Sequence, residues 1–276
     1  MRKIYGLLFL LALSASCGRN RTTEPLPGEQ PDSDSVRTDT LADTLALEEP
    51  EPPLAADGLF DDFVFNFMRN HRFQRERVRF PLIVRENGTE RLLPREEWKH
   101  DRLYAKAEVY TMLFDDVKSM GNSRDTTVKC VMVEMLDFRQ KSVKQYIFNK
   151  ERGAWLLTGL DIHPLAQDVN SDFYTFYLRF AGDAAYRRSH VASPFALTIT
   201  DPDSFEPMKG DANAAQWDDY APELPRDLVA NVNYGQTYAP TGRRVLLVSS
   251  VDGAMTSSIT FRKRGKNWFA VKLEND

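Results

Sequence analysis

Cysteine and histidine are scarce in this 276-residue chain: it has two of the first and four of the second. Cys17 and Cys130 alone make no disulfide framework. None of His71, His100, His163 and His190 sits in an H-x-x-x-H or H-E-x-x-H spacing, so the sequence encodes no helical metal site. No G-x-S-x-G, Walker or dinucleotide-type glycine pattern occurs, and neither a nucleophile elbow nor a phosphate cradle is expected. No cofactor is implied. Long apolar runs are missing too. The run at residues 4–13 falls well short of the roughly 20 apolar residues needed to cross a bilayer. Aromatic residues are absent from residues 18–57.

What the chain does have begins at its N-terminus. Arg2 and Lys3 precede the apolar run, and Ser14, Ala15 and Ser16 lead to Cys17. A basic end, a short apolar stretch and small residues are the parts of a secretory signal. The cysteine after them resembles a bacterial lipobox of the looser Bacteroidetes type, with Ser14 where leucine is preferred. That resemblance implies that residues 1–17 are a lipoprotein signal and that Cys17 carries lipid. Several acyl chains together anchor stably where one alone binds only marginally.

Residues 18–57 hold six prolines, and ten acids face three arginines. Such a segment cannot bury enough apolar surface to offset its ordering entropy and reads as a disordered acidic tether. It contains Asp34-Ser35-Val36, Asp39-Thr40-Leu41 and Asp43-Thr44-Leu45. These triplets resemble the general O-glycosylation acceptor of Bacteroidetes envelope proteins, which implies sugar on Ser35, Thr40 and Thr44. The chain total of −4, less the tether and signal, leaves residues 58–276 close to neutral, which argues against a nucleic-acid footprint.

The remaining body repeats. Phe60, Phe63, Val64 and Phe67 recur at i, i+3, i+4 and i+7, one face of a helix, with Asp57 a candidate cap. A shift of 113 residues reproduces that face as Phe173, Phe176, Tyr177 and Phe180, behind Asn170 and Ser171. The same shift maps Pro81 to Pro194, Phe148 to Phe261 and Trp155 to Trp268, and Trp98 matches Trp217 after a six-residue insertion. Each unit then reads as a helix, a proline-containing extended stretch, a short helical stretch carrying the tryptophan, and closing strands. In the first copy the strands are 128–138, 142–149 and 154–162; in the second, 228–238, 243–251, 256–262 and 267–273. Asn87-Gly88 between apolar alternations signals a hairpin. Helices first and a meander last give an α+β class, in which a helix lies across one face of an antiparallel sheet.

The helix-first order, the Phe/Tyr-rich first helix and the final Gly/Lys-x-Trp strand resemble the nuclear transport factor 2-like (cystatin-like) cone fold. The tandem arrangement behind a lipobox is similar to a Bacteroidetes lipoprotein family of unknown function. The resemblance implies two tandem cone-shaped domains, 58–167 and 168–276, each with N-terminal helices packed on a curved antiparallel sheet, and the two copies are expected to superpose. The fold hosts isomerases, dehydratases, adaptors and binding domains, so it does not choose a function.

Candidate pocket residues are Trp98, Tyr104 and Trp217, in the segments that would close each cone, and His71, four residues after Phe67. Asp61 and Asp62 read as acids favoured at a helix start. Asp115-Asp116 and Asp218-Asp219 read as loop acids that would otherwise line a cone mouth, and Arg72, Arg75, Arg77 and Arg79 as a solvated basic cluster. Cys130, in the alternation Val128, Cys130, Met132, reads as a small buried hydrophobe. The expectation is an outer-membrane lipoprotein facing the periplasm. It would bind an envelope protein, a glycan or a small ligand without catalysis. The alternative is a hydrolase, isomerase or lyase with an acid/base site in the first cone.

Overall fold

The computed structural model describes residues 57–116, 120, 125–201 and 203–275. The signal, Cys17 and the tether with Ser35, Thr40 and Thr44 lie outside the described residues.

The first half runs α1 (Phe60–Arg69), α2 (His71–Glu76), β1 (Val78–Glu86), β2 (Thr89–Leu93), β3 (Val109–Phe114), β4 (Cys130–Asp137), β5 (Ser142–Glu151) and β6 (Ala154–Pro164). The second runs α3 (Ser171–Gly182), α4 (Ala184–Ser189), β7 (Val191–Thr200), β8 (Pro207–Ala212), α5 (Trp217–Tyr220), β9 (Leu228–Asn233), β10 (Arg243–Ser250), β11 (Thr256–Arg264) and β12 (Asn267–Asn275). The order of elements is the same but for α5. Trp98, expected on a helical stretch, follows a turn, and only its counterpart Trp217 starts a helix.

The aromatic faces read from the sequence pack as matched sets. Phe60 meets Phe148 and Trp155 at ring centroids 5.2 Å and 5.2 Å, and Phe173 meets Phe261 and Trp268 at 5.3 Å and 5.3 Å. Asn70 ends α1 in extended backbone and accepts from the Phe73 amide to cap α2; Asp183 does the same for α4 through Ala185 and Tyr186. Asp57 caps nothing and pairs with Arg77 at 2.8 Å. Asn87 and Gly88, at φ 49° and 82°, take the left-handed conformations that a two-residue hairpin between β1 and β2 requires.

Two sheet-level expectations fail. First, the halves do not close two separate sheets. They share one twelve-stranded sheet of order β2-β1-β6-β5-β4-β9-β3-β10-β11-β12-β7-β8. The middle strands pair across the halves: β9 of the second half pairs antiparallel with β4 of the first, and β3 of the first pairs antiparallel with β10 of the second. Second, the sheet is mixed. β1–β6, β7–β12 and β3–β9 run parallel.

The two cores lie on opposite faces of this sheet. Along β10, Val245 and Leu247 join the core under α1 while Leu246 and Val248 join the core under α3. Successive side chains of a strand point to opposite faces, so the central strands are buried on both. That explains β3, whose run Thr111–Phe114 is buried throughout and carries no alternation to read. It also corrects Cys130. The face turned to the first core is Val131, Val133 and Met135, one residue out of register from the expected set, and Cys130 is exposed at the start of β4.

Candidate functional site

A cavity of about 740 Å³ opens beside α1 in the first half. Phe60, Phe63 and Phe67 turn one side of α1 into the core, while Asp61, Val64, Phe65 and Met68, at i, i+3, i+4 and i+7, turn the neighbouring side to the cavity. Tyr104 and Tyr110, ring centroids 5.7 Å apart, form another wall. The turn Ser250–Gly253 between β10 and β11 closes it from the second half.

Two polar groups are held ready there. The Asp61 carboxyl accepts through Oδ1 from the Tyr234 hydroxyl, and among the described residues no protein group donates to Oδ2. Burial raises the Asp61 pKa; the Tyr234 hydrogen bond offsets part of that, and the charge on Asp62 adds to it. Tyr104 is only 5% exposed, and its hydroxyl has no protein partner among the described residues. Burial and the Asp61 charge hold the Tyr104 phenol well above its ordinary value. An apolar chamber with a few convergent polar groups is the usual form of a small-molecule site. Tyr234 follows β9, so a strand of the second half completes the site from 173 positions away.

The matching place in the second half is filled. Tyr174 stands where the 113-residue shift puts Asp61, and it is buried. Phe138, from the β4–β5 turn, packs on Tyr177 at 5.9 Å and Tyr174 at 6.4 Å. The Tyr177 hydroxyl donates to the Pro225 carbonyl at 2.8 Å. The acid here comes from the sheet. Glu134 of β4 is 3% exposed, accepts from Asn231 of β9 at 2.7 Å and from Gln145 at 2.9 Å, and lies 3.5 Å from the Tyr174 hydroxyl. Burial, helped by the nearby Asp168 charge, lifts its pKa to about 7. The same shift puts Leu247 at this place in the first half.

Comparison with known proteins agrees with this architecture. A domain of unknown function, DUF4348, matches residues 38–275. The chain belongs to that family. It is also similar to an NTF2-like protein from Bacteroides fragilis whose crystal structure is known: 32% identity, TM-score 0.75, with 82% of this chain and 99% of that one covered. The fold is therefore NTF2-like, and this DUF4348 chain is a mixed α+β protein dominated by one large sheet. No curated protein matches.

Of the residues singled out in the sequence, Tyr104 lines the cavity and the other three lie elsewhere. Trp98 is half-buried, donates to Gln74 at 3.2 Å and packs edge-on to Phe80 at 6.3 Å. Trp217 fills the second core between Phe180 and Phe195, at 5.7 and 5.3 Å. His71 is exposed on α2 and faces His100 at 5.5 Å; the break at Asn70 takes it off the apolar face of α1. The basic cluster is largely neutralised, with Arg72 on Glu76, Arg77 on Asp57 and Arg79 on Glu151. Asp115 pairs with Arg244 at 2.7 Å and Asp218 with Arg187 at 3.1 Å. Sequence reasoning treated Asp61 as a helix-start acid and missed Tyr110, Tyr234 and the Ser250 turn. Tyr104 and Tyr110, flanking one short segment, were the local signal for part of the wall.

Proposed function

We propose that this protein is an envelope lipoprotein that binds a small ligand in the cavity of its first half. The second half serves as the scaffold that completes that cavity. The supporting observation is the asymmetry of the halves: the first keeps an open chamber with an Asp61 carboxyl oxygen and a Tyr104 hydroxyl that have no protein partner among the described residues, while the second fills the same place with Tyr174, Tyr177 and Phe138. On this reading the body consists of two nuclear transport factor 2-like units, 58–167 and 168–276, that have exchanged a strand. Lipid on Cys17 holds them to the outer membrane, facing the periplasm, at the end of the acidic tether. Among the described residues no helix is long and apolar enough to cross a membrane. A Cys17→Ala variant is expected to leave the membrane fraction; continued partition with membranes contradicts the anchor.

The raised pKa of Asp61 favours a second reading, in which that carboxyl transfers protons to a bound substrate. Its hydrogen-bond partner among the described residues is Tyr234, whose hydroxyl resists ionisation, and this sets the binding reading first.

Fluorescence of the uncharged reporter N-phenyl-1-naphthylamine tests the site. One saturable site per chain is expected, abolished by Asn66→Trp, which places an indole at the cavity wall. Absence of saturable binding, or binding that Asn66→Trp leaves unchanged, contradicts the proposal.

A further inference from the structure

We infer that the ligand of the first-half cavity is cationic: an organic amine with an apolar body. This rests on the binding reading above and adds the ligand's chemical class.

Three carboxylates, Asp61, Asp62 and Asp252, line the cavity, and among the described residues no lysine, arginine or histidine lines it. An acidic lining alone says little, because acids are common at helix starts and in turns. The groups around it say more. Tyr104 is 5% exposed and lines the chamber, and its hydroxyl has no protein partner among the described residues, which leaves it to water or to a ligand. Asp61 is fixed at Oδ1 by Tyr234, which leaves Oδ2 free to accept. Tyr104 and Tyr110 present rings to the same chamber, and such rings attract a cation through the ring quadrupole, whereas the Phe65 ring is already covered by the Arg69 guanidinium at 3.6 Å.

Each alternative ligand fits worse. An anion meets three like charges on the lining. A neutral apolar molecule fills the volume but takes water from the Asp61 carboxylate without bringing it an opposite charge. A protonated amine donates to Asp61 Oδ2 and to the Tyr104 oxygen, lies against the rings, and brings its apolar body onto Val64 and Met68. Charge-assisted hydrogen bonds of this kind are about twice as strong as neutral ones. The second half lacks the arrangement, since Tyr174 replaces the acid and Phe138 occupies the space.

Three competitors with the same apolar body and different heads test this at near-neutral pH: 4-phenylbutylamine, 4-phenyl-1-butanol and 4-phenylbutyrate, each displacing N-phenyl-1-naphthylamine. The amine is expected to compete about 10-fold more strongly than the alcohol, and the carboxylate more weakly than either. Asp61→Asn is expected to cut the amine's advantage over the alcohol to about 2-fold. Asp61→Glu is expected to keep the advantage, which separates charge from fold. If the reporter binds but the heads do not rank, or Asp61→Asn changes nothing, the cationic inference is overturned and the binding reading stands. If the reporter does not bind, both fall.

Discussion

The two halves share an order of elements and an aromatic frame, yet each has settled the space beside its first helix differently. In the first, Asp61 looks into an open chamber and Leu247 joins the core under α1. In the second, Tyr174 and Phe138 close the space, and the acid has moved to Glu134 on the sheet. A frame of large aromatics that carries the fold leaves a few positions free to vary, and those positions decide whether a half is hollow. The pairing of β3 and β9 across the halves then makes them one unit, because each core is walled by a strand of the other half.

Separating the halves breaks this most completely. A fragment of residues 57–167 retains β3 but loses β9, exposing both apolar faces and an edge of β4. It is expected not to fold as a soluble monomer, judged by far-ultraviolet circular dichroism and sedimentation; a folded monomeric fragment would show that β3 can return beside β4. Next are the matched core positions. Phe63→Ala and Phe176→Ala each remove a buried ring and are expected to cost about 3–5 kcal/mol in denaturant unfolding. A cost near zero in one half would show that the frames are not equivalent.

Glu134 gives a smaller effect with a defined pH window. Below about pH 4.5 both folded and unfolded chains hold its proton. Between there and pH 7 the unfolded chain releases it while the buried group keeps it, so stability falls as pH rises, by up to about 3 kcal/mol. Glu134→Gln mimics the protonated form and is expected to remove that slope; an unchanged slope assigns it to other groups. The smallest change in stability is expected from Asp61→Tyr, which copies the second half into the first: less than about 1 kcal/mol, with reporter binding lost. A variant that still binds the reporter would mean that Tyr174 is not what closes the second half.

Much of this was legible in the chain. The i, i+3, i+4, i+7 aromatics gave both first helices, and their recurrence at a fixed shift gave the repeated frame. Asn87-Gly88 marked its hairpin. The central strands were not legible in the same way. β3 is buried on both faces and has no period-two pattern, and the partner it chooses is a strand far along the chain that no local signal names. Cys130 misled because a strand buried on both faces makes one register look as good as the next. For the site, the acids at the start of α1 were visible, but an acid at a helix start is ordinary. Tyr234 and the Ser250 turn, brought in by the second half, are what make Asp61 part of a chamber.

The crystal structure of the protein purified from its native host, with its bound small molecules retained, tests the central claim most directly. The account predicts a ligand in the first half against Asp61 and Tyr104, and none beside Tyr174 and Phe138. A ligand in the second half, or a first half closed by its own side chains, would contradict it.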